Sequence, residues 1–149
     1  MEYNKKYMDM AYEEALKASN IGEIPVGCAL VSENCVIRTH NLKENNNCSL
    51  DHAELLAIRE ASIRNNNWRL DNFDIYITLE PCPMCASAIK QARIKNVYCG
   101  CQTTDDDHKL CEEIFNNSDR NASVLFKINM DKTRCKKLLE KFFKKRRNM

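Results

Sequence analysis

Apolar positions along this chain switch between a helical and an extended period, and the switches mark out its elements. Over residues 3–19, Tyr3, Tyr7, Met8, Ala11, Tyr12, Ala15 and Leu16 fall on one helical face, which predicts an amphipathic first helix. Asn20, Gly22 and Pro25 break it. Val26 to Val31 and Cys35 to Thr39 then form two strands of a hairpin turned at Ser32-Glu33-Asn34. A polar loop leads from Asn41 through Asn45-Asn46-Asn47 to Asp51. Residues 52–64 return to helical spacing, with Ala53, Leu55, Leu56, Ala57, Ile58, Ala61 and Ile63 mostly inward, and Asp51 suits the N-cap. Asn65-Asn66-Asn67 ends that helix.

Phe73 to Leu79 is a short β-rich run, expected as a buried strand. Pro81 or Pro83 suits a first helical turn, and a third helix runs to about Arg93. Ile94 to Cys101 is the next strand. The segment 102–121 is polar, with no more than a helical turn over Leu110 to Phe115. Val124 to Ile128 gives a last short strand. Asp131 to Arg147 closes the chain as a helix with Cys135, Leu138, Leu139, Phe142 and Phe143 as its apolar stripe. The order α-β-β-α-β-α-β-(β)-α predicts a three-layer α/β/α domain, a mixed five-stranded sheet with helices on both faces.

Length and composition narrow this further. The 149 residues suffice for one domain with a sizeable core, so residues 1–149 are read as a single domain. No apolar run approaches the roughly 18 residues of a membrane span, and Met1-Glu2-Tyr3-Asn4-Lys5-Lys6 has no apolar export segment behind it. A cytoplasmic protein with no membrane partner is expected. Nine cysteines is an odd number, and without an export signal reduced thiols are expected, not a disulfide framework. Cys28, Cys35, Cys99 and Cys101 lie in apolar runs where cysteine acts as a small hydrophobe.

The net charge of +2 is unevenly distributed. Residues 131–149 carry nine Lys and Arg against two acids, a surplus of +7 that leaves the rest of the chain at −5. A basic tail on an acidic body points to a polyanionic partner, in competition with a plain solvated helix face.

The chemistry concentrates in His52-Ala53-Glu54 and Pro81-Cys82-Pro83-Met84-Cys85, with 26 residues between Glu54 and Pro81. H-x-E followed by P-C-x-x-C is the signature of zinc-dependent nucleobase deaminases. A catalytic zinc takes three protein ligands and keeps a fourth position open for water. The imidazole of His52 and the thiolates of Cys82 and Cys85 supply the three. Glu54 is then free to move protons, and an aromatic ring carbon bearing an exocyclic amine is the electrophile such a site suits. Both motifs open helices, where the helix dipole stabilises thiolates. The main competitor is a structural four-cysteine site from Cys82, Cys85, Cys99 and Cys101. It is disfavoured because Cys99 and Cys101 are only one residue apart on a strand, whereas structural pairs are spaced by two to four.

The chain also resembles a known family, the bacterial tRNA adenosine deaminases of the cytidine-deaminase-like fold. The resemblance rests on Glu23-Ile24-Pro25-Val26-Gly27, on Asn41 eleven residues ahead of His52, and on Leu79-Glu80-Pro81-Cys82-Pro83-Met84-Cys85-Ala86. It continues through Ser87-Ala88-Ile89 and Arg93-Ile94, and returns in Leu138-Leu139 and Phe142-Phe143-Lys144-Lys145-Arg146-Arg147. It implies one zinc ion per chain at His52, Cys82 and Cys85, with Glu54 as proton shuttle. It implies that Asn41 and the backbone of Ala53 read the base, with Val26 and Pro81 also in the substrate site. A homodimer, a tRNA anticodon stem–loop as partner, and conversion of a wobble adenosine to inosine are implied likewise. Phe143, Lys144, Arg146 and Arg147 are the candidate RNA contacts. Residues 102–121 depart from the family pattern, because Gly100 is followed by Cys101-Gln102-Thr103-Thr104-Asp105-Asp106-Asp107-His108 in place of a Lys-Thr-Gly-Ala-like loop. His108 is read as an exposed loop histidine, not as a fourth ligand.

Two other functions compete. A deaminase of free guanine or cytosine would share the zinc motifs, but a free base offers no phosphates to the basic C-terminal helix. A zinc-stabilised RNA-binding module without activity would have no use for Glu54.

Overall fold

The computed structural model describes residues 2–117 and 124–148. Along the chain run α1 (Lys5–Asn20), β1 (Gly27–Val31), β2 (Val36–His40), α2 (Ala53–Asn65), β3 (Asp74–Leu79), α3 (Pro83–Gln91), β4 (Asn96–Cys101), α4 (Asp105–Asn116), β5 (Leu125–Lys127) and α5 (Lys132–Arg147). The strands form one sheet in the order β2-β1-β3-β4-β5. β1 is antiparallel to β2 and β3, whereas β3–β4 and β4–β5 are parallel. Each parallel pair is joined by a crossover helix, α3 in the first and α4 in the second. Among the described residues no helix is long and apolar enough to cross a membrane.

Strand alternation builds the two cores. Cys28, Leu30, Ile75, Ile77, Val97 and Cys99 face Ala53, Ala57 and Ala61 of α2, Ala86 and Ile89 of α3, and Cys111 and Phe115 of α4. The alternate residues Ala29, Val31, Tyr76 and Tyr98 face Met8 and Ala11 of α1. Burying one large apolar side chain contributes roughly 1.5–3 kcal/mol, so the fully buried Ile75, Ile77, Tyr76 and Tyr98 anchor the sheet between its helices. Two glycines set how close the helices come. A Cβ on Gly27 would lie 1.9 Å from the Ala11 carbonyl oxygen, and one on Gly100 would lie 2.5 Å from Cys135 Sγ. α1 rests directly on β1, and α5 on β4.

The expected elements are present with ends moved by one or two residues, for local reasons. The Asn4 side chain caps α1 by accepting Lys6 N–H, which leaves Tyr3 outside the helix to pack on Tyr76 and Tyr98. Asn66 closes α2 in the left-handed conformation (φ 50°). α3 starts with Pro83 in its first turn and stops at Gln91, two residues before Arg93 turns at φ 68°. The inward face of α2 is narrower than expected. It is the alanine row with Glu54, while Ile63 is exposed.

The polar segment after β4 is the larger correction. Instead of one turn it forms the 12-residue α4, N-capped by Thr104, whose side chain accepts Asp107 N–H. Only Cys111 and Phe115 are buried from it, and the apolar stripe of Leu110, Cys111, Ile114 and Phe115 is confined to its second half. Residues 118–121 of that segment lie outside the described residues. All nine cysteines stand as free thiols.

Candidate active site

β3 runs into the turn that starts α3, and the 41–51 loop delivers the chain to the start of α2. The N-cap position of α2 is His52 and not Asp51, which instead accepts an Asn46 side-chain N–H at 2.8 Å. Cys82 caps α3, and Cys85 lies in its first turn. The His52 side chain makes no capping bond to its helix, and the Cys82 thiol turns toward Cys85 in the first turn of α3, so imidazole and thiols converge. His52 Nδ1 lies 3.5 Å from Cys85 Sγ and 3.8 Å from Cys82 Sγ. One ligand atom from each of the three falls within 4.8 Å of the others. Among the described residues no other trio of His, Cys, Asp or Glu gathers in this way.

The charges of the trio suit a cation. The Cys85 thiol donates to Cys82, which holds the Cys82 thiol down to about 4 and pushes that of Cys85 well up. The same Cys82 thiolate raises the pKa of His52. Two cysteine sulfurs and one imidazole make a soft, three-donor set, and zinc fits it. The four-cysteine alternative does not assemble. Cys99 is buried in the sheet core, and Cys101 Sγ donates to the Thr78 carbonyl at 3.4 Å.

Glu54 follows the ligand His52 by two residues and turns inward, only 3% exposed. Burial pushes its carboxyl up to about 7. A carboxyl poised near neutrality can both take and give a proton.

These groups meet at a cavity of about 220 Å³. Val26, Asn41, Ala53, His52, Glu54 and Cys82 line it, which brings together most of the residues singled out from sequence. Below the roughly 300–1,000 Å³ of drug-sized sites, this volume suits one heterocyclic base and leaves the remainder of a larger substrate outside. The local supports are specific. Thr39 Oγ1 donates to the Ala53 carbonyl at 2.7 Å, fixing the start of α2. The buried Glu23 accepts N–H groups from Glu44 and Asn45 at 3.1 and 2.7 Å, and Asn41 N–H donates to the Val26 carbonyl at 3.1 Å. The Glu23-Ile24-Pro25-Val26 stretch thus holds the loop that carries Asn41.

Of the expected substrate-site residues Pro81 lies off the cavity wall, and the expected RNA contacts occupy a separate part of the molecule. Pro81 is buried behind the cavity, not on its wall, and its carbonyl accepts the Cys111 thiol at 2.8 Å. Phe143, Lys144, Arg146 and Arg147 occupy the last turns of α5 and do not line the cavity. Phe142, half-buried, shares a separate hollow between α1 and α5 with Leu16 and Leu138, while Phe143 is 40% exposed.

Sequence reading missed Lys43, Glu80, Thr103 and Asp107 on the cavity wall. His108 is also not an exposed loop residue. It sits in α4 with its side chain 18% exposed, Nδ1 2.5 Å from Glu80 and Nε2 3.2 Å from Glu112. Glu80 in turn accepts Thr103 N–H at 3.1 Å. The available signal was local: Thr104 followed by three acids is an N-cap with an acidic first turn, a helix start.

Residues 1–101 match the family model of the cytidine and deoxycytidylate deaminase zinc-binding region. A tRNA-specific adenosine deaminase of Bacillus subtilis (strain 168) is 45% identical over 101 residues, a match that takes in 67% of this chain and 63% of that protein. The matched stretch therefore spans less than two thirds of that relative. The tRNA-specific adenosine deaminase of Buchnera aphidicola subsp. Schizaphis graminum is 36% identical over 143 residues, covering 95% of this chain and 94% of that one. A solved structure from work on A-to-I editing by tRNA:A34 deaminases at the wobble position of transfer RNA superposes with a TM-score of 0.81. It is 31% identical and covers 91% of this chain and 100% of that one.

Proposed function

Because the chain belongs to the family defined by the cytidine and deoxycytidylate deaminase zinc-binding region, we propose that it deaminates adenosine to inosine at the wobble position of a tRNA anticodon. The observation that carries this reading is the convergence of His52, Cys82 and Cys85 beside the buried Glu54, on a cavity of single-base size. His52, Cys82 and Cys85 would hold one zinc ion per chain. When bound, zinc supplies a water made nucleophilic near neutral pH. Glu54 takes the proton that the attacking water gives up and passes it to the ring nitrogen beside the reacting carbon. It then takes the remaining proton of the oxygen added to the ring carbon and hands it to the departing amine as the carbon–nitrogen bond breaks, so that adenosine and water become inosine and ammonia. Asn41 and the backbone of Ala53 hold the base, Val26 shapes the wall, and Pro81 fixes the turn behind Cys82.

The RNA reading draws on the tRNA-specific deaminases to which the chain is similar and on the basic α5, which a free base would not need. The protein is proposed to act in the cytoplasm as a homodimer, and the exposed Leu50, Ile63 and Trp68 are side chains a second copy could cover. The whole of residues 1–149 is proposed to act as one domain. The test is to incubate the protein with mixed tRNA and, separately, with free guanine, cytosine and adenine, following ammonia and inosine. Ammonia from free bases alone would replace this reading with a free-base deaminase.

A further inference from the structure

Beside the base cavity lies a second hollow of about 230 Å³, and Thr103 lines both. Its other polar walls are Gln102, Asp105, Asn129, Lys132 and Lys136. From these residues we infer a phosphate subsite that takes one phosphodiester of the strand flanking the target base. The inference rests on the RNA reading above and adds to it a contact away from the C-terminal end of α5.

Lys132 and Lys136 are one helical turn apart on α5, so both ammonium groups serve the same side of the helix. Among the described residues neither forms an ion pair with a carboxylate, although their neighbour Arg134 pairs with Asp9 and Asp131. Asp105 is the opposing charge in the hollow, and Gln102 Nε2 donates to its Oδ1 at 3.1 Å. Two cations against one hydrogen-bonded carboxylate leave the hollow net positive. Asn129 accepts the Gln102 N–H through Oδ1, which leaves its side-chain N–H groups to donate to another oxygen. Asn129 is held there by a left-handed backbone (φ 60°).

The location selects the ligand. A base in the first cavity remains joined through its ribose to phosphates on either side. The shared residue Thr103 places this hollow next door, within reach of an adjacent phosphate and not of a remote one. Lysines read phosphate as point charges and impose no sequence preference, which suits a positioning contact.

The test is a double comparison with the full-length, metal-loaded protein and a synthetic anticodon stem–loop. One arm replaces each phosphate flanking the target, singly, with a neutral methylphosphonate. The other arm changes Lys132→Gln together with Lys136→Gln, exposed positions that carry no core contact. Binding is followed by titration across a salt series. The expected result is that one particular neutral phosphate weakens binding to the parent protein by about two- to fivefold, the scale of exposed charge pairs. The same replacement should cost the double variant nothing further. The variant's salt slope on unmodified RNA should fall by roughly 0.7, one phosphate contact on a single strand. Equal losses for parent and variant at every phosphate would overturn the subsite, as would a general loss of affinity tied to no single phosphate. Competition by inorganic phosphate that vanishes in the variant, without any such coupling, would assign the hollow to free phosphate and also overturn it. Inosine is read in the same samples and bears on the proposed reaction alone, so the two readings fail separately.

Discussion

His108 Nδ1 lies 2.5 Å from Glu80 Oε2, and this contact fastens the start of α4 to the turn that delivers Cys82. The Glu80 side chain is fully buried, and its second oxygen accepts the Thr103 N–H. Removing the imidazole leaves that carboxyl without its strongest partner. His108→Ala should therefore lower unfolding free energy by about 1–3 kcal/mol, the cost of an unsatisfied buried polar group. It should raise KM for RNA through Thr103 and Asp107 while leaving bound zinc unchanged. Urea unfolding and metal content test this, and unaltered stability would remove His108 from the support of the site.

Glu54→Gln keeps the shape of the side chain and removes its proton chemistry. Turnover should drop by about 10²–10⁴-fold with fold and metal content retained. Single-turnover inosine formation measures it, and near-normal rates would dismiss Glu54 as the shuttle.

The metal trio makes a sharper, subtractive test. His52→Ala, Cys82→Ala or Cys85→Ala should each cost most of the bound zinc, because a three-ligand site has no spare donor. Cys101→Ala should keep the metal, since that thiol bonds the Thr78 carbonyl instead. Zinc per chain, by atomic emission after dialysis, decides between the two outcomes.

How much of this was legible in sequence varies with how local the determinant is. The alternation of Ile75, Tyr76, Ile77 and of Val97, Tyr98, Cys99 already encodes a strand with two buried faces, and both cores are built on it. The zinc motifs announce three donors and a carboxylate, and helix starts place them. The partners of those groups are less visible. Glu80 and His108 lie 28 residues apart and meet only because α4 folds back on α3, which no period or spacing records. Phe142 and Phe143 illustrate the other limit: helical geometry separates their directions, but the packing of α5 on α1 decides which one is covered.

Two buried glutamates give the protein an acid limit. Burial raises the carboxyl of Glu14, but bonds from Lys17 and His40 outweigh it and leave the pKa below the ordinary 4.5. Glu23 is lowered in the same way, against burial, by the backbone and side chain of Asn45 and the Glu44 amide. A carboxyl with a depressed folded pKa contributes stability above its unfolded value and loses it as pH falls through the folded one. Melting temperature should hold down to about pH 4.5 and then fall steeply. Glu23→Gln should melt lower near neutrality and show a shallower acid slope. Parallel pH profiles for parent and variant would refute this assignment.

The last turns of α5 separate two ways of holding RNA. Arg146 lies over the Phe142 ring, 5.2 Å from its centroid, and Phe142 lines a hollow with Leu16 and Leu138, so this half-buried ring is largely committed to the protein. Phe143 is exposed and meets Phe142 edge-on at 5.5 Å, which leaves a face for a base. Lys144 and Arg147 are exposed cations with no core role. Stacking and phosphate pairing differ in salt dependence, because only the second releases counterions. Phe143→Ala should weaken stem–loop binding by about 1–3 kcal/mol with an unchanged salt slope. Lys144→Gln with Arg147→Gln should instead flatten the slope by roughly 0.7 for each phosphate that is no longer neutralised. Removing residues 142–149 should do both and also uncover Leu138, so a drop in melting temperature accompanies it, with zinc and the sheet core retained. If affinity and slope for the stem–loop stay the same in all three variants, the last turns of α5 do not hold the RNA, and deamination of free bases becomes the better account of the cavity.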